Sequence, residues 1–142
     1  MNIKKLFSKY KENQAAIILY QREIEIRKRD LLPNMINTLS LVPVAHENTS
    51  TVESTVEKYE KDLDIRYFEE QIARARYDIQ TVDALMALLN EETRNLIWMR
   101  LIEGKKTPEI AETLGICERD VYRKTNDALD KMDMLIGAIQ RQ

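Results

Sequence analysis

The sequence predicts an all-α protein in which a long, coiled-coil-like helical pair precedes a C-terminal bundle of shorter helices. Three observations carry this. Only 3 Gly and 3 Pro occur among 142 residues, so helices can run with few interruptions. Apolar residues recur at steps of three, four or seven along two stretches of the N-terminal region, residues 1–89. From Asn90 onward, cap, proline and glycine signals crowd together and cut the chain into shorter helices.

The first helix is predicted from about Asn2 to about Asp30. Ile3, Tyr10, Ile17, Ile24 and Leu31 recur every seven residues, and Leu6, Asn13, Tyr20 and Arg27 fill the intervening position. The result is an apolar seam with two polar interruptions, Asn13 and Arg27. Pro33 should end the helix, because it has no backbone N–H to donate. A connector then covers residues 31–49, with Pro43 and turn-forming Asn and Ser.

The second helix, residues 50–89, has two overlapping start signals, Ser50-Thr-Val-Glu53 and Ser54-Thr-Val-Glu57. Each matches the capping box, in which a hydroxyl and a carboxylate satisfy free amides reciprocally. Ile65, Phe68, Ile72, Ala75, Ile79, Val82, Met86 and Leu89 then alternate steps of three and four without a miss. Val56, Tyr59 and Leu63 sit out of that register, which predicts a kink or stutter near Asp62 to Asp64. Two helices with such seams pair as an antiparallel hairpin within the chain or associate between chains.

The third part covers residues 90–142. Asn90 is a good N-cap, and Glu91 and Glu92 complement the positive end of the helix dipole. Leu96, Ile97, Trp98, Met99, Leu101 and Ile102 give this helix apolar faces on most sides, as expected in the middle of a small bundle. Gly104 can adopt the positive φ of a helix stop. Thr107-Pro108-Glu109 then supplies a cap, an early proline and a first-turn acid. Ile110, Ala111 and Leu114 form one face of a short helix. Gly115 makes a sharp turn and Ile116 plugs the core beneath it. Cys117 stands where a capping hydroxyl is expected, and Val121 packs against the small Ala111. A small residue, a glycine and a β-branched residue at these offsets let two helices cross closely, the requirement of a helix-turn-helix.

Net charge is −2, so bulk basicity does not mark the partner. Residues 1–30 carry 8 bases against 4 acids, residues 31–89 carry 5 against 10, and residues 90–142 carry 9 against 10. Catalysis has little to work with. His46 is the single histidine, Cys117 the single cysteine, and no glycine-rich phosphate loop occurs. The expectation is a non-enzyme with no catalytic residues, no cofactor, no metal and no small-molecule substrate. No apolar run approaches the length of a membrane span, so no membrane partner is expected and the cytoplasm is the expected compartment.

Glu92-Thr-Arg-Asn-Leu-Ile-Trp-Met-Arg-Leu-Ile-Glu-Gly104, Thr107 to Leu114, Gly115-Ile116 and Val121 to Leu129 resemble region four of bacterial sigma factors. The resemblance spans roughly Leu88 to Met132 and implies promoter reading by the second helix of the motif. Nothing upstream looks like the core-binding region of those factors. In size and layout the whole chain resembles phage late-gene transcriptional activators of the ArpU and RinA type, which regulate packaging and lysis genes. That resemblance implies a double-stranded DNA partner and contact with host RNA polymerase. A homodimer is expected because palindromic half-sites favour dimers. Two other readings fit the same layout: a phage DNA-packaging small terminase subunit, and a helical interaction module that no longer binds DNA.

Helix geometry assigns the residues of the DNA-reading case, with residues 118–132 in the major groove. Glu118, Arg119, Tyr122, Arg123 and Asn126 point outward near the start of this helix and are the base-reading candidates. Arg can bond guanine bidentately, Glu can accept from cytosine, and Asn can pair with adenine. Lys105, Lys106, Thr107 and Lys124 are the phosphate candidates, which orient without specifying sequence. Asp120 places a further acid beside the groove, where it repels phosphate.

Overall fold

The computed structural model describes residues 2–41 and 62–141. Among the described residues every regular element is helical. They are α1 (Ile3–Ser8), α2 (Tyr10–Leu41), α3 (Leu63–Met86), α4 (Glu91–Ile97, continued by a π-helical turn, Trp98–Ile102), α5 (Thr107–Leu114) and α6 (Glu118–Gln140).

The first predicted helix is both split and longer. Asn2 caps α1, its side chain accepting from the Lys5 amide at 3.2 Å. Lys9, at φ −91° and ψ 0°, interrupts the helix for one residue before α2 begins. Helix α2 then runs through Pro33 to Leu41, so Pro33 does not end it. A proline inside a helix costs about 3 kcal/mol through its missing N–H, yet the helix continues on both sides of it. Residues 31–41 of the expected connector are therefore helical. Residues 42–49 and both capping boxes lie outside the described residues.

Helix α3 begins at Leu63, and residues 50–61 of the predicted second helix, on which the expected kink depends, lie outside the described residues. Asp62 Oδ1 accepts from the amides of Asp64 (2.9 Å) and Ile65 (3.0 Å), satisfying two donors that have no partner inside the helix. Leu63, the out-of-register residue, is exposed, whereas Ile65 is buried.

Contacts divide the chain into two compact units, Ala15–Arg76 and Met1–Gln14 with Tyr77–Gln142. In the first, Ile24, Ile65 and Ile72 are buried, with Ile17, Tyr20 and Phe68 packed around them. Tyr20 stacks on Phe68 at 5.7 Å, and Arg27 forms an ion pair with Asp64. As numbers rise along α2 they fall along α3, so the two helices pair antiparallel within the chain. Every one of these apolar residues belongs to a predicted seam, and Arg27, a polar interruption, meets a carboxylate.

The second unit has the larger core. Ile3, Phe7 and Tyr10 join Val82, Leu85 and Met86 of the α3 end, Leu89 of the turn after it, Leu96, Ile97 and Ile102 of α4, Ile110 and Ala111 of α5, and Val121, Ala128 and Met132 of α6. The first residues of the chain are thus part of the C-terminal bundle. The Tyr10 hydroxyl donates to Asp83 at 2.9 Å and its ring meets Trp98 edge-on at 5.5 Å. Burial, and then the Asp83 carboxylate, push the Tyr10 phenol above its ordinary pKa. Beyond Met132, α6 keeps Ile136 at the edge of the core but leaves Met134, Leu135 and Ile139 exposed.

Candidate nucleic-acid interface

Helices α4, α5 and α6 build the site. Asn90 caps α4 as expected, accepting from the Thr93 amide at 2.8 Å. The last turn of α4 widens to the π pattern, with the Glu103 amide bonded to the Trp98 carbonyl at 2.9 Å. Gly104, at φ +70°, ends it. The Trp98 indole donates to Glu103 Oε1 at 2.8 Å, and Lys105 Nζ lies 3.3 Å from Glu103 Oε2. These contacts, the indole first, hold the Glu103 carboxyl below the usual range.

The helix-turn-helix crossing has the predicted parts. Helix α5 stops at Gly115, whose φ of +69° is the left-handed conformation that glycine adopts without strain. The Ile116 amide returns to the Ala111 carbonyl at 3.1 Å, closing the turn. Ile110 and Val121 are fully buried and Ala111 nearly so. One capping expectation changes and one holds. Thr107 is the first residue of α5 rather than its cap, which is Lys106, and no side chain bonds there. Cys117 holds the cap position of α6 with an extended backbone, but its side chain makes no cap bond.

Glu118, Arg119, Tyr122, Arg123 and Asn126 are all exposed. At 3.6 residues per turn they share an arc of roughly 140°, beside the buried line of Val121, Thr125, Ala128 and Met132. The structure therefore brings the five base-reading candidates onto one accessible face. The cations are less free than the sequence implies. Arg123 lies 3.3 Å from Asp120, one turn back on the same helix. Lys124, half-buried, reaches Glu92 at the start of α4 at 2.6 Å. Lys105 engages Glu103. Arg119 and Lys106 have no acidic partner among the described residues.

Sequence reasoning missed Arg100. It projects from the π turn of α4, and its guanidinium lies 4.7 Å from the centroid of the Tyr122 ring. A cation over a partly exposed ring contributes about 0.5–1 kcal/mol. A lone charge inside the apolar run Leu96–Ile102 was the available signal. Its target, more than twenty residues downstream, was not legible from spacing.

The comparisons bear on this unit. Residues 79–132 match the family described as sigma-70, region 4. The match covers less than half of the chain. No curated protein and no solved structure matches the chain. The region-4 match begins inside α3, ahead of the Leu88 at which the resemblance was expected to start. The structure gives the reason, since Val82, Leu85 and Met86 of α3 line the same core as the helix-turn-helix. A region-4 helix-turn-helix is a DNA-binding regulatory module, and here it holds all nine predicted contact residues. Among the described residues no helix is long and apolar enough to cross a membrane, and no group of His, Cys, Asp and Glu is placed to hold a metal ion. His46 lies outside the described residues.

Proposed function

We propose that this chain is a sequence-specific transcriptional regulator that lays the N-terminal turns of α6 in the major groove of double-stranded DNA. One observation carries the reading. Glu118, Arg119, Tyr122, Arg123 and Asn126 stand exposed on one face of the second helix of a region-4-type motif, with no role in the core. Arg119 and Arg123 bond guanine, and Lys105, Lys106, Thr107 and Lys124 hold phosphates. The protein acts without catalysis or cofactor, in the cytoplasm of a bacterial host. We assign it to the activation of phage late genes, with contact to host RNA polymerase. The support is layout, a helical N-terminal half joined to a C-terminal region-4 motif.

The working form is a homodimer. Residues 90–142, with 9 bases against 10 acids, gain little from general attraction to phosphate, so two half-sites per complex supply the affinity. Selection from randomised duplexes, followed by mobility shift of the selected site, tests the function. Wild type should recover one motif, and Arg119→Ala with Arg123→Ala should lose about 1–3 kcal/mol per bidentate contact. Equal, weak binding of all duplexes by both proteins sinks the reading. Mass in solution tests the assembly: a dimer supports it, and a large ring shifts the assignment to DNA packaging.

A further inference from the structure

Arg100 belongs to α4, ahead of the helix-turn-helix turn, yet its side chain is committed to α6. Its guanidinium covers one face of the Tyr122 ring at 4.7 Å, and its Nη1 donates a long hydrogen bond, 3.5 Å, to Thr125 Oγ1. Thr125 is buried, and its own hydroxyl donates to the Val121 carbonyl at 2.7 Å. The hydroxyl proton is therefore used, and what Thr125 offers Arg100 is a lone pair. Tyr122 and Thr125 are three residues apart, one above the other on the helix. A single guanidinium thus spans one turn of α6 and fixes the ring to it. Tyr122 is otherwise 49 % exposed, in the middle of the candidate reading face.

An exposed tyrosine on a helix samples several rotamers, and freezing it on DNA costs conformational entropy. Arg100 favours this ring position before binding, by the two- to fivefold that about 0.5–1 kcal/mol gives. It also occupies one ring face, so the far face and edge of the ring are what remain for a partner. The apolar feature that the major groove offers to such a surface is the C5-methyl group of thymine.

We propose that Arg100 is a specificity-determining positioning residue that holds the Tyr122 ring against a thymine methyl group. The inference rests on α6 reading DNA, and its test separates the two. Wild type is first given the duplex it selects. Each thymine in that site is then replaced by deoxyuridine, which lacks only the methyl. At one position the replacement should weaken wild-type binding about three- to fivefold, the effect of burying one methyl. Because the change is made in the DNA, the protein's folding does not enter.

Tyr122→Phe should keep this discrimination, and Tyr122→Ala should abolish it. Arg100→Lys retains charge but not the planar stack. It should bind thymine and uracil duplexes equally, with an unchanged salt dependence. If Arg100→Lys discriminates like wild type, or Tyr122→Phe fails like Tyr122→Ala, the positioning role is wrong while DNA reading stands. If wild type selects no motif at all, both fall.

Discussion

Arg119 and Lys106 carry no acidic partner among the described residues, while Lys105, Arg123 and Lys124 are each held by a carboxylate. In the proposed complex, phosphate or guanine competes with Glu103, Asp120 and Glu92 for those cations. Asp120→Asn should therefore tighten DNA binding, by up to about fivefold for an exposed pair, and steepen its salt dependence. The same change removes an acid from the first turn of α6, so a thermal melt should show about 0.3–1 kcal/mol of lost stability. Lys106→Ala should weaken all duplexes alike and flatten the salt slope by about one unit. Cys117 caps α6 without a side-chain bond, so Cys117→Ser should raise unfolding stability by about 1 kcal/mol in a denaturant titration. The Tyr10 phenol is raised in the folded protein, so its contribution is fully present below the unfolded value of 10.0 and is lost as pH rises through the folded one. Denaturation midpoints taken from neutral to alkaline pH should fall more steeply for wild type than for Tyr10→Phe. Spacing along the chain placed Glu118, Arg119, Tyr122, Arg123 and Asn126 on one helix face, and they are exposed there. It did not reveal that Lys124 is held by Glu92 of α4, because that contact joins two helices whose packing sequence spacing does not specify.

At the scale of elements, the seams were the most legible feature. Ile24, Ile65, Ile72, Val82, Met86 and Leu89 are buried at the heptad positions that predicted them, because a helix that must cover one side repeats that need every turn. Gly115 was legible for a similar reason: the crossing requires a left-handed residue there. A Cβ at Gly115 meets nothing within 4 Å, so Gly115→Ala is strained by φ alone. It should cost about 1 kcal/mol, read from the denaturation midpoint. Pro33 and the α1 segment were less legible. A single proline signals a stop only where the adjoining turns cannot continue without its hydrogen bond. Phe7 lies off the predicted seam, and nothing local marks it as a core residue of the distant C-terminal bundle. It is fully buried there, so Phe7→Ala should destabilise the region-4 unit by about 3–5 kcal/mol. Its effect on affinity should come only through the folded fraction.

For the whole molecule, the division of labour runs against chain order. Residues from both ends build the unit that carries α6, and the described residues between them pack around a separate hairpin core. Net charge said little about the partner because the candidate contact bases are few, and three of them, Lys105, Arg123 and Lys124, are held by carboxylates. The helix-turn-helix framework pointed to a DNA-binding regulatory class, and the region-4 match lies within that same unit. The central claim is that the first turns of α6 lie in the major groove and read bases. Methylation interference on the selected duplex tests it most directly, since guanine N7 faces the major groove and adenine N3 the minor. Modification of guanine N7 at defined positions should block wild-type binding, one of those positions should cease to matter for Arg119→Ala, and adenine N3 methylation should have no effect there. Interference confined to the minor groove, or a pattern unchanged by Arg119→Ala, would contradict it.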